Sequence, residues 1–215
     1  SIEVLITDHP DEVMLLNIQG ACFVELGQLN KAIKSYEKAL TIKPDYAEAH
    51  NNLGNALKAQ GQLTNAVNSY EKALSIKSDF AEAFNNLGFT LKELGQLDTT
   101  VKSYEMIIKM KPDFAEAHYN LGTALQELRK LDASIQSYEN ALTIKPDYFE
   151  AYYSLGTIFQ ERNQLSTAVK NYEKAIVIKP DYAEAYNNLG TIMIELGRVD
   201  EAEDYYRNAI SLEPE

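Results

Sequence analysis

The chain offers few side chains that could carry out catalysis or hold a metal ion. Its three histidines, His9, His50 and His118, lie far apart in the sequence, and its only cysteine is Cys22. No H-E-x-x-H zinc motif, nucleophile elbow or phosphate-binding glycine loop occurs. We therefore expect no enzyme activity, no metal site and no cofactor. Cys22 stands among apolar residues, which predicts a small buried side chain, and a single cysteine excludes an internal disulfide.

The side chains best suited to recognition are asparagines that recur in adjacent pairs. A carboxamide offers two donors and one acceptor, which suits the backbone of an extended peptide. Asparagine is a mediocre helix former, so its repeated use costs stability in a helix. The pattern therefore predicts either a peptide-binding surface or side chains that only bridge neighbouring repeats and set their pitch. The pairs are Asn51 and Asn52, Asn85 and Asn86, and Asn187 and Asn188.

Glycine and proline show that these asparagines belong to a unit of 34 residues. Glycine occurs at only two positions of the unit, 8 and 15, and proline at only one, 32. Rare residues seldom align by chance, so the chain is an internal repeat. Pro10 lies one period before Pro44, so residues 1–12 are predicted to be the second-helix remnant of an upstream repeat. The full repeats are predicted at 13–46, 47–80, 81–114, 115–148, 149–182 and 183–215, with no separate capping helix.

Each unit is expected to form two antiparallel helices. Asp45, followed three residues later by Glu48, resembles a capping box at the start of the first helix. This helix is expected to end at the position-15 glycine, which repeats four and five replace with Arg129 and Asn163. The second helix is expected to start at position 18, where every repeat has a residue typical of N-caps. These residues are Asn30, Thr64, Asp98, Asp132, Ser166 and Asp200.

The spacing of apolar residues assigns one face of each helix to the core. In the second repeat, Leu53, Gly54 and Leu57 lie on one stripe of the first helix, and the glycine would let a partner helix come close. Positions 2, 5, 6, 9, 12 and 13 then share the other side of that helix. An aromatic residue recurs at position 24 of the second helix, and we predict core packing for it. These aromatic residues are Tyr36, Tyr70, Tyr104, Tyr138, Tyr172 and Tyr206.

This pattern resembles the tetratricopeptide repeat (TPR), with a bulky residue at position 4, Leu at 7, Gly at 8, Ala at 20, an aromatic at 24, Ala at 27 and Pro at 32. The resemblance extends over all six units. It implies an all-α fold, a right-handed superhelical solenoid of antiparallel helix pairs whose first helices line a concave groove. The position-6 asparagines also resemble the ladder in the repeat arm of O-linked N-acetylglucosamine transferases, although Ile18 and Ser154 interrupt it. This ladder consists of Asn52, Asn86, Asn120 and Asn188.

Our first hypothesis is a protein-interaction scaffold that binds an extended, neutral-to-basic peptide segment in its groove. Family members that bind chaperone tails hold a terminal carboxylate with Lys, Asn and Arg. Here most of these basic residues are absent and glutamates lie nearby, so an acidic tail is not expected. The alternative is the substrate-recruiting N-terminal arm of a larger glycosyltransferase- or sulfotransferase-like enzyme. The candidate groove residues are Asn17, Asn51, Asn52, Asn55, Asn85, Asn86, Lys58, Lys92, Tyr119, Asn120, Thr123, Tyr153, Thr157, Asn187 and Asn188.

Charge and composition narrow the choice of partners. The formal net charge is −12, and nucleic-acid binding depends on neutralising phosphates, so neither nucleic acid nor an anionic membrane is expected. No apolar run approaches the roughly 18 residues of a membrane-spanning helix, and no secretory leader is visible. These features predict no membrane insertion and a cytoplasmic location. Terminal repeats usually need a polar outer face, so end-to-end self-association is also predicted.

Overall fold

The computed structural model describes residues 12–212, which form twelve α-helices and no strands. Odd-numbered helices are the first helices of the repeats and even-numbered helices are the second. They are α1 Val13–Glu25, α2 Leu29–Ile42, α3 Ala47–Ala59, α4 Leu63–Ile76, α5 Ala81–Glu93, α6 Leu97–Met110, α7 Ala115–Glu127, α8 Leu131–Ile144, α9 Phe149–Glu161, α10 Leu165–Ile178, α11 Ala183–Glu195 and α12 Val199–Leu212.

The chain divides into two compact units of three helix pairs each. The first unit ends at Pro112 and contains α1 to α6, and the second begins at Asp113 and contains α7 to α12. Within each unit, a second helix packs on the first helix of its own repeat and on the first helix of the next. This stacking buries apolar surface that an isolated pair of helices would leave exposed. The predicted all-α solenoid of helix pairs is confirmed.

A glycine facing a tyrosine forms the core of each helix pair. A Cβ atom added to Gly54 would lie 2.5 Å from Cε1 of Tyr70, and one added to Gly156 would lie 2.6 Å from Cε1 of Tyr172. Both tyrosine side chains are fully buried. Any larger residue at position 8 would overlap the ring, so glycine is required for this close approach. The predicted core role of the position-24 aromatics is confirmed for these repeats.

The turn between paired helices needs a residue in the left-handed conformation. Gly61 has a φ of 79°, and Arg129 and Asn163 adopt φ values of 61° and 58° at the same position of their repeats. The amide of Gln62 then donates to the carbonyl of Leu57 at 2.9 Å, which satisfies an end carbonyl of α3. The predicted end of the first helix at position 15 is therefore confirmed.

The predicted N-cap residues are wrong, by one residue at α3 and by two at α2. The N-cap residue of α3 is Tyr46 rather than Asp45, and no side chain caps the helix. Similarly, α2 begins at Leu29, one residue before the predicted cap Asn30. The carbonyl of Gln28 already accepts the first helical hydrogen bonds, so position 18 falls inside the first turn. A negative charge in that turn still favours the helix dipole. Such charges are present at Asp98, Asp132 and Asp200.

Cys22 is exposed, so the prediction of a buried thiol is wrong. It lies at position 10 of the repeat, and the equivalent residues Ala56, Ile158 and Ile192 are fully buried. In later repeats of each unit, the second helix of the preceding repeat covers the first helix. No described helix precedes α1, because the predicted remnant at residues 1–12 lies outside the described residues apart from Glu12.

Candidate peptide-binding surface

Positions 2, 5, 6, 9, 12 and 13 of the first helices form a surface that we call the first-helix face. In the first unit, its asparagines bond to one another across repeats. Asn52 Nδ2 donates to Asn17 Oδ1 at 3.1 Å, and Asn86 Nδ2 donates to Asn51 Oδ1 at 3.0 Å. Asn51 is only 1% exposed, and its own Nδ2 donates to Glu82 Oε1 at 2.9 Å. These amides link neighbouring helices, which favours a structural role for them.

Two other first-unit candidates, Asn55 and Lys58, are also held by contacts within the chain. Asn55 Oδ1 accepts a hydrogen bond of 2.8 Å from the hydroxyl of Tyr70. Lys58 Nζ lies 2.9 Å from Glu93 Oε1 and 5.6 Å from the centroid of the Phe89 ring. A peptide would have to compete with these contacts, so the first unit presents few side chains ready to bind one.

Some predicted candidates are partly or wholly buried. Asn85 and Lys92 are half-buried in the first unit, and Asn120 is 8% exposed in the second. Asn85 Oδ1 and Asn120 Nδ2 are buried without a hydrogen-bond partner among residues 12–212. Buried polar atoms usually have partners, and those without one cost stability. Their burial leaves little of either amide accessible to a peptide.

In the first two repeats of the second unit, tyrosine replaces asparagine at position 5. The Tyr119 and Tyr148 ring centroids lie 4.9 Å apart, and the Tyr153 and Tyr182 centroids also lie 4.9 Å apart. Burial raises the pKa of the Tyr153 hydroxyl; the hydrogen bond from Asn188 lowers it, and the charge of Glu184 raises it. The first-helix face of this unit therefore combines paired rings with a nearby negative charge.

The threonine candidates of the second unit contact the hydroxyl and amide groups of neighbouring helices. The Tyr138 hydroxyl donates to Gln126 Oε1 at 2.9 Å and also lies 3.4 Å from Thr123 Oγ1. Gln126 Nε2 donates to Thr157 Oγ1 at 3.3 Å. This chain of contacts connects three helices, so Thr123 and Thr157 help to position the face.

Three predicted residues come together around a cavity of about 390 Å³ in the second unit. Its lining includes Tyr153, Asn187 and Asn188, together with Glu184 and the exposed Ile210. Asn188 Nδ2 donates to the Tyr153 hydroxyl at 3.2 Å, which fixes both side chains, whereas Asn187 and Glu184 are exposed. The cavity thus presents an amide, a carboxylate and a ring to the solvent.

Sequence reasoning missed Glu184 as a lining residue. The sequence assigned the position-2 glutamates to capping boxes, but α11 has Tyr182 as its N-cap residue and no capping side chain. The signal was present in the helical spacing, because position 2 lies beside positions 5 and 6 on one side of a helix. Glu184 belongs with Asn187 and Asn188 in the candidate site.

Comparison with known families identifies the repeat. A TPR repeat model matches residues 20–61, 54–95 and 156–197. Tetratricopeptide repeat models also match residues 81–114, 115–148 and 183–215. The chain belongs to the tetratricopeptide repeat family. Proteins of this family are generally non-enzymatic scaffolds, and protein–protein interaction is the function that membership indicates.

Several solved structures share the fold. The crystal structure of MamA is 28% identical over 74% of this chain and 94% of that one, with a TM-score of 0.71. A tetratricopeptide repeat protein from Parabacteroides merdae ATCC 43184 is 21% identical over 94% of this chain and 80% of that one, with a TM-score of 0.81. YrrB, described as a TPR protein with an unusual peptide-binding site, is 20% identical over 92% of this chain and 98% of that one, with a TM-score of 0.73. The search of curated proteins gave no match.

Among residues 12–212, no helix is both long enough and apolar enough to cross a membrane. No group of three or more His, Cys, Asp and Glu side chains among them could hold a metal ion. The cytoplasmic location stays a prediction from the sequence.

Proposed function

We propose that this TPR chain binds an extended, neutral-to-basic peptide segment on the first-helix face of its second unit. The observation that carries the proposal is the cavity that brings Asn187, Asn188 and Tyr153 together with Glu184. Peptide binding follows from the exposed amide, because Asn187 can both donate to and accept from a peptide backbone. A preference for basic segments follows from the exposed carboxylate.

The aromatic pairs of the same unit support a preference for cationic side chains. Lys145 Nζ lies 4.6 Å from the centroid of Tyr148, and Lys179 Nζ lies 5.2 Å from the centroid of Tyr182. These rings therefore already face ammonium groups at distances typical of cation–π contacts. A lysine or arginine of a bound segment would find the same chemistry at Tyr153, beside the carboxylate of Glu184.

A selection from a library of random 12-residue peptides tests the proposal. We expect peptides enriched on the native chain to carry more Lys and Arg than Asp and Glu. Fluorescence anisotropy should show that Asn187→Ala and Glu184→Gln each weaken binding about fivefold, because each removes a contact of about 1 kcal/mol. Glu139→Gln, an exposed change on α8 of the same unit, is the matched control. Equal affinity of all three variants, or enrichment of acidic peptides, would refute the proposal.

The resemblance of the asparagine ladder to a glycosyltransferase repeat arm stays a prediction, as does the alternative of a substrate-recruiting arm. In the first unit, Asn52 and Asn86 donate to the asparagines of the preceding repeat instead of standing free. These contacts favour the interpretation that such amides set the packing of the repeats. We therefore base the peptide proposal on the second unit.

We also propose that the chain self-associates through its last repeat. Ile210 is 70% exposed and Val199 61% exposed, whereas Ile176, at the position of Ile210 one repeat earlier, is half-buried against Ala185 and Leu189. The first helix of the following repeat covers that position in α10, and a second copy offers a helix of the same type. We expect sedimentation to show a mass that rises with concentration, and Ile210→Glu to abolish the rise. A monomer at every concentration would contradict this proposal.

A further inference from the structure

Val177 is an apolar residue at a position that is polar in every other repeat. It lies at position 29, near the end of α10, and its side chain is 79% exposed. Single exposed apolar residues are common on protein surfaces, so the exposure alone would carry no conclusion. The residues at position 29 of the other repeats are Thr41, Ser75, Lys109, Thr143 and Ser211.

Val177 borders a cleft of about 550 Å³ in the second unit. Ile178, Pro146 and Tyr152 give the cleft further apolar surface, and Thr167 and Asn171 lie at its side. This volume is within the range of about 300 to 1,000 Å³ that is usual for ligand pockets. The lining comes mainly from the second helix α10, so the cleft is separate from the first-helix face described above.

The charge of the cleft has the opposite sign to that of the whole chain. Its charged lining residues are Lys170, Lys174 and Glu173, which give a formal charge of +1 where the chain carries −12. The Lys174 ammonium lies 5.0 Å from the centroid of the Tyr152 ring. Neither lysine forms an ion pair with a carboxylate of residues 12–212. Two ammonium groups beside an apolar cleft would attract an acidic ligand.

The combination of two lysines and an exposed valine on α10 is absent from the preceding repeat. In α8 the positions of the two lysines and of Val177 are taken by Gln136, Asn140 and Thr143. There, Gln136 Nε2 donates to Asn140 Oδ1 at 3.2 Å, so the two polar side chains bond to each other. At these three positions, α8 thus carries neither a positive charge nor an apolar side chain.

We propose that the cleft on α10 is a second peptide-binding site, which takes a partner segment with an apolar side chain next to an acidic one. The apolar side chain would pack between Val177 and Tyr152, and the carboxylate would lie beside Lys170 and Lys174. This chemistry is opposite in charge to that proposed for the first-helix face. One chain could then bind two different segments at the same time.

The test uses substitutions that copy the preceding repeat. Val177→Thr and the double change Lys170→Gln with Lys174→Asn introduce residues that α8 already has at these positions, so the helix should be preserved. A library of random 12-residue peptides is selected on the native chain and counter-selected on the Val177→Thr variant. We expect enriched peptides to contain an apolar residue beside Asp or Glu and to bind each variant at least tenfold more weakly than the native chain.

Variants of the first-helix face test whether the cleft on α10 binds independently of the peptide site proposed there. Asn187→Ala and Glu184→Gln should leave the affinity of these acidic peptides unchanged, and the native Val177 methyl NMR signals should shift on binding. The proposal would be overturned if no enriched peptide bound the native chain more tightly than the Val177→Thr variant. It would also be overturned if the enriched peptides lacked an acidic residue. If Val177→Thr instead removes only a concentration-dependent rise in mass, the occupant is a second copy and the proposed partner is wrong.

Discussion

The contact between position 8 and position 24 makes a quantitative prediction for Gly54→Ala. The new Cβ would lie 2.5, 2.8 and 2.9 Å from three ring carbons of Tyr70. To reach an ordinary contact of 3.4 Å, the ring must move by about 0.9 Å. Tyr70 is fully buried, and its hydroxyl donates to Asn55 at 2.8 Å, so the movement also disturbs a hydrogen bond.

The expected cost follows from these terms. Overpacking a well-packed core costs about 1 to 3 kcal/mol, and a disturbed hydrogen bond adds up to about 1 kcal/mol. Alanine is the better helix former by about 1 kcal/mol, which offsets part of this. We expect Gly54→Ala to destabilise the fold by about 1 to 2 kcal/mol. At Gly88 the nearest atom of Tyr104 is 2.9 Å away, so Gly88→Ala should cost less.

Urea unfolding monitored by circular dichroism measures the difference in stability between Gly54→Ala and Gly88→Ala. Repeat arrays do not always unfold in two states, so midpoints of matched variants are the safer comparison. In the background of Tyr70→Leu, which removes the ring, Gly54→Ala should cost much less than in the native chain. If Gly54→Ala is as stable as the native chain, or if it costs the same with and without the ring, the reasoning is wrong.

Three other predictions concern the turns and the buried tyrosines. Burial raises the pKa of Tyr36 and Tyr70 to about 12, so the folded state keeps protons that an unfolded chain loses near pH 10. Their contribution to stability is complete below pH 10 and is lost as the pH rises through 12. The urea midpoint should therefore fall between pH 10 and pH 12. A constant midpoint would contradict this. Arg129→Gly removes the strain of a non-glycine residue with positive φ and should raise the free energy of unfolding by about 1 kcal/mol. Asn163→Gly should change it little. A lower urea midpoint for Arg129→Gly would show that Arg129 is not strained. Ser78→Pro restores the proline of the other repeats and should add about 0.4 to 1 kcal/mol by restricting the unfolded chain, seen as a higher melting temperature; a lower one would show that proline does not fit there.

Most of the fold could be predicted from the sequence because its determinants are local and repeat. The period follows from glycine and proline, and the end of each first helix follows from a residue that tolerates positive φ, even at Arg129. The helix starts could not be predicted to the residue. Asp45 is a suitable cap by type, but in the folded chain Tyr46 occupies the capping position.

The candidate site was less predictable, because repeat position alone does not decide exposure. Asn51 and Asn187 occupy the same position of their repeats, yet Asn51 is 1% exposed and Asn187 is open to solvent. Asn51 has a following repeat stacked on it, and its amide bonds to Glu82 of that repeat. In α11, no described first helix follows, so Asn187 stays accessible beside Glu184.

The sequence by itself determined the period, the number of helices per repeat and, apart from Cys22, the residues that face the core, since these depend on spacing within 34 residues. Only the tertiary structure decided which amides bond to each other, because Asn52 and Asn17 lie 35 residues apart and meet only when repeats stack. The tertiary structure also placed Val177 at the edge of a cleft, whereas the sequence shows only an apolar residue at position 29. A cleft arises from several elements packed together, so no single segment of the sequence contains it.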